Sequence, residues 1–203
     1  MAGWKKHHGK AKVLPLANID TDQLIPARFM SVPRSEGYGD YLLHDMRRDA
    51  SGALKPDFPL NDVLKTTVLI AGANFGSGSS REAAVYALVD AGYRAVFAPS
   101  FGDIFASNAI NNGLLPARIE PEIYDELVSR IGASFCDVQI DLQNGCASFD
   151  GKQVNFQLDE TWRVKLMNGW DDIDLTQQYA SEISRFGKIY AQTAPWAVPI
   201  VSD

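Results

Sequence analysis

The sequence predicts a mixed α/β domain, with parallel strands in the middle of the chain and antiparallel strands toward its end. Two observations carry this. The first is a strand–helix–strand pattern: the apolar run TVLIAG (67–72), a helical stretch from about Ser80 to Ala91 stopped by Gly92, and the apolar run RAVFAP (94–99). A unit of about 30 residues joining two such runs makes a right-handed parallel crossover. The second is FCDVQIDLQNGCASFDGKQVNFQLD, where Asn144-Gly145 and Asp150-Gly151 separate short β-like runs. Tight-turn signals at that spacing describe a three-stranded antiparallel meander.

Taken in order, residues 1–11 read as a flexible, basic, solvated arm, and KVLPL (12–16) as the first strand. The following stretch, ANIDTDQLIPARFMSVPRSEGYGDYLLHD, carries Pro26, Pro33, Gly37 and Gly39, which predict an extended loop rather than a helix. Loops of that length inside a compact domain are usually functional or mobile. After the central unit, a helix from Ser100 with Asp103 in its first turn ends at NNG (111–113), and LLPARI returns as a strand. In the meander, a two-residue turn at Asn144-Gly145 would pair Gln143 with Cys146 and keep Cys136 far from Cys146. A final helix from about Asp159 to Asn168 leads to a C-terminal tail (177–203) whose aromatic residues suggest docking. With 203 residues and no long linker or repeat, the chain is expected to be a single domain.

Composition removes several function classes. Hydrophobic residues make up 46% and charged residues 22%, values of a globular chain. No apolar run approaches the roughly 20 residues of a membrane span, and the basic start lacks the apolar core of a secretory signal. The net charge of -6 argues against a broad nucleic-acid surface. Two cysteines without a C-x-x-C pair exclude a disulfide framework and a self-contained thiolate metal site, and fit a reducing cytoplasm.

The chemistry centres on GANFGSGSSREAA (72–84). Ser79-x-x-Glu82 matches a helix capping box, but a cap does not require Gly76 and Gly78 ahead of it. Glycines there turn the backbone and expose N–H groups, making an anion-binding concavity at a helix N-terminus. A phosphate-binding P-loop needs a lysine after its second glycine, and GANFGSGSSR, which ends in Ser80-Arg81, contains none. A hydrolytic serine needs a histidine base, and His7, His8 and His44 all lie upstream, two of them in the arm. The remaining reading uses every part: Arg81 grips a carboxylate bidentately, and dense N–H donors with arginine charge, closed off from water, favour a serine alkoxide able to take a proton from carbon. That is lyase chemistry.

GANFGSGSSREAA, with YRAVFAPSFGDIFASNAINNGLLP after it, resembles the swivelling domain of the aconitase superfamily. NIDTDQLIPARF upstream and LMNGWDDIDLT near the end narrow the resemblance to the small subunits of 3-isopropylmalate dehydratases, over about residues 12–176. The resemblance implies a swivelling β/β/α fold with mixed strands, and a hydro-lyase that interconverts 2- and 3-isopropylmalate in leucine biosynthesis. It implies a large-subunit partner holding a four-iron four-sulfur cluster, with no cofactor or metal bound by this chain. Carried over by position, Ser79 is the catalytic base, Asp22 orients polar partners, and Ser80 and Arg81 bind carboxylate and oxyanion. Arg34 in VPRSEGYG falls near a substrate-binding arginine, with Arg28 as the fallback. From the residues alone, Asp20 and Asp22 read as an Asx turn ending the first strand. Ala73, Ser77 and Ala83 stand where many relatives carry Glu, Cys and His, and Trp170 replaces a smaller apolar residue. These departures leave open a related acid substrate (methylmalate or a substituted maleate hydrate), or a non-catalytic partner-binding paralogue.

Overall fold

The computed structural model describes residues 2–61 and 65–197. Its frame is one seven-stranded sheet, β1 (Lys6–Leu14), β2 (Val68–Ala71), β3 (Ala95–Ala98), β4 (Leu115–Arg118), β5 (Phe135–Asp141), β6 (Cys146–Phe149) and β7 (Lys152–Asn155), in the spatial order β4-β3-β2-β1-β5-β6-β7. The first four strands are parallel and the last three form an antiparallel meander. β1 joins the halves, parallel to β2 and antiparallel to β5. The mixed α/β class expected from the sequence is what the chain forms.

The arm expectation for residues 1–11 does not hold. Lys6–Lys10 belong to β1, where Lys6 pairs with Asp141 and Ala11 with Cys136. The charged residues there occupy the solvent-facing positions of an alternating strand, which polarity alone mimics as a tail.

In the parallel half, both faces are covered. Val13, Val68, Ile70, Ala95 and Phe97 face one apolar cluster, whereas Leu14, Leu69, Ala71, Val96 and Ala98 face a second. A strand packed on both sides reads as a continuous apolar run, which is why TVLIAG and RAVFAP are legible. The first cluster is closed by α5 (Pro121–Ile131) and α6 (Glu160–Asn168), through Leu127, Ile131 and Leu166. The second is closed by α3 (Glu82–Asp90) and by the segment that carries α1 (Thr21–Leu24) and α2 (His44–Arg47). α4 (Asp103–Asn111) sits at the edge and serves both, with Ile110 in one cluster and Phe105 in the other.

The long segment after β1 differs from the extended loop expected. Besides α1 and α2 it winds into 3-10 turns at Ala27–Ser31, Arg34–Glu36, Gly39–Tyr41 and Pro59–Asn61. Pro26 and Pro33 do not break these turns but precede the first two as N-cap residues, where a missing N–H costs nothing. α5 is a helix the sequence reading does not assign, although Pro121 at its start and Gly132 just past its end mark it. The turn at Asn144-Gly145 also differs: Asp141, not Gln143, pairs with Cys146, so the connection has four residues. The Asp141 carboxylate accepts from the Gln143 and Asn144 amides at 3.0 and 3.1 Å and stabilises the wider turn. Asp150-Gly151 is a two-residue turn with positive φ at both positions, joining Phe149 to Lys152. Past α6, α7 (Asp172–Gln177) and α8 (Ala180–Thr193) follow, and α8 is exposed along its whole length.

Candidate active site

Two connections leave the C-terminal ends of adjacent parallel strands, 15–20 after β1 and 72–81 after β2, and their backbones interlock. The Gly76 amide donates to the Ile19 carbonyl at 2.7 Å, and the Thr21 amide to the Ser77 carbonyl at 2.9 Å. Asn18 and Asn74 both adopt positive φ (56° and 60°). The Asn18 amide reaches the Ala73 carbonyl at 2.8 Å, and the Asn74 side chain donates to Asn18 Oδ1 at 2.9 Å. A third connection, after β3, supplies the floor: Ser100 Oγ accepts from the Asn74 amide at 2.8 Å.

Gly76 shows why this turn needs glycine. Its φ is +72°, and a Cβ there would lie 2.2 Å from the Phe105 ring. Only a bare backbone lets the turn descend onto α4. Gly78, at φ +91°, has room around it and is required for conformation rather than for space.

This geometry places Ser79 and Ser80 at the exposed rim, ahead of α3. The capping box expected at Ser79 is absent. α3 begins at Glu82 with Arg81 as N-cap and no side-chain cap bond, and Glu82 accepts from Asn112 Nδ2 at 2.8 Å instead. The reason lies in the neighbouring connection, which holds the Ser77 and Ser79 carbonyls from the other side and keeps Ser79 out of cap geometry. Among the described residues, the amides of Gly78, Ser79, Ser80 and Arg81 find no acceptor within the chain. Four free N–H groups at the start of a helix form an anion-binding rim.

Asp20 and Asp22 have separate tasks. Asp20 caps α1 in a reciprocal box with Gln23: its carboxylate accepts from the Gln23 amide at 2.7 Å, and the Gln23 side chain returns to the Asp20 amide at 3.0 Å. Asp22, one residue into the helix, is thereby turned toward the second connection and pairs with the Arg81 guanidinium. Arg81 is 21% exposed and Asp22 56% exposed. Thr21, between the aspartates, is 2% exposed. Its Oγ1 donates to the Ser79 carbonyl at 2.9 Å and lies 3.4 Å from Ser79 Oγ. In the sequence, the only signal that marks Thr21 is its place between two aspartates.

Ser79, Ser80, Arg81 and Asp22 therefore share one rim. Arg34 is held elsewhere. Its guanidinium donates to Asp90 at 3.0 Å and lies 3.7 Å over the Tyr86 ring, on the outer side of α3. Asp90 closes α3 and Arg81 opens it, a separation of about 13 Å along the helix. The hydrogen bond to Asp90 raises the Arg34 pKa. Arg28 is paired with Asp45, whose carboxyl that contact lowers to about 2, with His44 adding a second hydrogen bond. Ala83 is buried in the cluster beneath α3.

Among the described residues, no group of three or more His, Cys, Asp or Glu side chains is placed to hold a metal ion. Cys146 sits at the Lys6–Asp141 end of β1, opposite the Ser79 turn. Cys136 is buried in the meander, and that burial pushes its thiol up to about 11.

The aconitase C-terminal domain family matches residues 1–122. The 3-isopropylmalate dehydratase small subunit of Shouchella clausii is 44% identical over 182 residues, covering 89% of this chain and 92% of its own length. Its counterpart in Bacillus subtilis is 42% identical over 90% of this chain and 93% of its own. That of Chloroflexus aurantiacus is 45% identical over 91% and 94%. The crystal structure of 3-isopropylmalate dehydratase from Methanocaldococcus jannaschii superposes with a TM-score of 0.64 at 26% identity, over 89% of this chain and 98% of that one.

Proposed function

The chain belongs to the aconitase C-terminal domain family, within its 3-isopropylmalate dehydratase small-subunit branch, and from that premise we propose how its exposed rim takes part in catalysis. The chain is the small subunit of a heteromeric hydro-lyase of leucine biosynthesis that dehydrates and rehydrates isopropylmalate. The alternative acids and the non-catalytic paralogue are not favoured, because relatives that share 40–45% of its residues over most of its length carry this one name.

Ser79 is the base. It takes the proton from carbon beside a substrate carboxylate during dehydration and returns it during hydration. Arg81, Ser80 and the free amides of 78–81 hold the carboxylate and the charge that develops on it. Asp22 orients Arg81, and its carboxylate occupies the guanidinium until the substrate's own takes over. Arg34 is the second substrate-binding arginine and reaches the substrate by leaving Asp90. The observation that carries this reading is the gathering of Ser79, Arg81 and Asp22 on one exposed rim with its amides unpaired.

Exposure also argues for the large subunit. An alkoxide is unfavourable in water, so a surface serine becomes a base only when a partner covers it. Among the described residues no ligand set fits a four-iron four-sulfur cluster, and the two cysteines are separated from the rim and from each other along the meander. The cluster is assigned to the large subunit. We assign the assembly to the cytoplasm, a reducing compartment that suits the two free cysteines; no described helix is long and apolar enough to cross a membrane.

The test is Ser79→Ala in the assembled enzyme, assayed for hydration of the alkene acid. Loss of a positioned base lowers kcat by about 10²-fold or more. Near-wild-type turnover would remove Ser79 from the role.

A further inference from the structure

We propose that Thr21 is a positioning residue that sets the proton of Ser79 and stabilises its deprotonated form; this rests on the reading of Ser79 as the base. Thr21 is 2% exposed and fixed through its backbone, whose amide donates to the Ser77 carbonyl at 2.9 Å. A threonine hydroxyl has one proton and two lone pairs. The proton goes to the Ser79 carbonyl at 2.9 Å. A lone pair then faces Ser79 Oγ at 3.4 Å and is available to the serine proton. This orientation turns the Ser79 proton inward, toward Thr21, and its lone pairs outward, toward the substrate.

Once Ser79 is an alkoxide, the demand reverses. Turning about the Thr21 Cβ–Oγ bond moves its proton from the Ser79 carbonyl to Ser79 Oγ, with no heavy-atom bond made or broken. The neutral bond given up is weaker than the charge-assisted one gained. The switch costs little because the hydroxyl is buried and already aimed. Asp22 cannot do this, since it is an acceptor engaged by Arg81.

The charged groups on the elements packed here are Asp20 and Asp22 at α1, Arg81 and Glu82 at the start of α3, and Asp103 at the start of α4. None is altered by the test.

The experiment compares Thr21→Val and Thr21→Ser, alone and combined with Ser79→Ala, in the enzyme assembled with its large subunit. Thr21→Val keeps the shape and removes the hydroxyl. It is expected to lower kcat roughly tenfold or more while KM changes by no more than about twofold. The ascending limb of the kcat–pH profile moves to higher pH, because a base without its donor holds its proton more tightly. Thr21→Ser returns kcat to within about threefold of wild type and restores the limb. In the Ser79→Ala background, Thr21→Val adds nothing further. Should the valine variant not assemble, Thr21→Ala carries the same comparison. A fall in kcat with an unmoved limb would leave Thr21 only a structural role and overturn the proposal, as would unchanged kcat. If Ser79→Ala itself keeps its activity, the base reading fails and takes this one with it. If Ser79→Ala is inactive and the Thr21→Val profile is unmoved, Thr21 alone is refuted.

Discussion

The parallel and antiparallel halves share one sheet and bury it in opposite ways. β2 and β3 are buried at every residue, whereas β5 alternates exposed and buried positions along most of its length. Their connections differ too. The meander turns in four residues and then two, leaving no loop long enough to carry a site. The parallel strands are joined by crossovers, and the loops that leave their C-terminal ends meet at Ser79. Rigid strand ends with long connections place chemistry; tight hairpins place stability.

The largest expected effect tests the stabilising half. Phe149, on β6, is fully buried and meets Phe97 of β3 edge-to-face at 5.1 Å. Phe149→Ala is expected to cost about 3–5 kcal/mol in denaturant unfolding. The kcat of molecules that remain folded and assembled stays at the wild-type value. A selective loss of turnover would mean the meander reaches the chemistry, and the contrast between the halves would fail.

Ser79→Ala is the mirror image. The side chain is exposed and uncapping, so its loss leaves stability within about 0.5 kcal/mol. Turnover nevertheless falls by about 10²-fold, or roughly 3 kcal/mol of transition-state stabilisation. A large drop in melting temperature would instead indicate that Ser79 holds the turn together.

Between these lies Gly76→Ala, where fold and site share one atom. The new Cβ would overlap the Phe105 ring at 2.2 Å with φ at +72°. The expected penalty is about 1–3 kcal/mol, with a fall in kcat because the turn lifts off α4 and carries Ser79 with it. Intact turnover at reduced stability would show that the Ser79 rim tolerates displacement of its floor.

The same contrast explains what the sequence made legible. β2, β3 and the α3 core face are continuous apolar runs, and burial on both sides writes itself directly into composition. The position of GSGSSRE after such a strand points to the candidate rim. Its inner geometry could not be read, because Ser79-x-x-Glu82 satisfies a local capping rule that tertiary contacts override: Thr21 holds the Ser79 carbonyl through its hydroxyl from 58 residues away, and the Ser77 carbonyl through its amide. Likewise, Lys6–Lys10 resemble a charged tail until β5 supplies the pairing partner. Local signals state what a segment can do, and long-range hydrogen bonds choose among the options.

Arg34 gives the smallest effect on stability and the sharpest question about where the site ends. Its ion pair with Asp90 has side chains 41% and 20% exposed. Solvent screens such a pair, and stacking on Tyr86 adds modest packing, so Arg34→Ala is expected to cost under about 1 kcal/mol. Substrate binding calls for more. If Arg34 leaves Asp90 to grip a second carboxylate in the closed assembly, Arg34→Ala raises KM with a smaller change in kcat, and Arg34→Lys recovers only part of the loss because a point charge cannot reproduce the bidentate fork. Asp90→Ala then has the opposite sign: freed from its ion pair, Arg34 is more available, and KM falls or stays level. Unchanged KM in Arg34→Ala would confine Arg34 to the outer face of α3, and the rim at Ser79 would bind its substrate through Arg81 and the amides without help from the long connection.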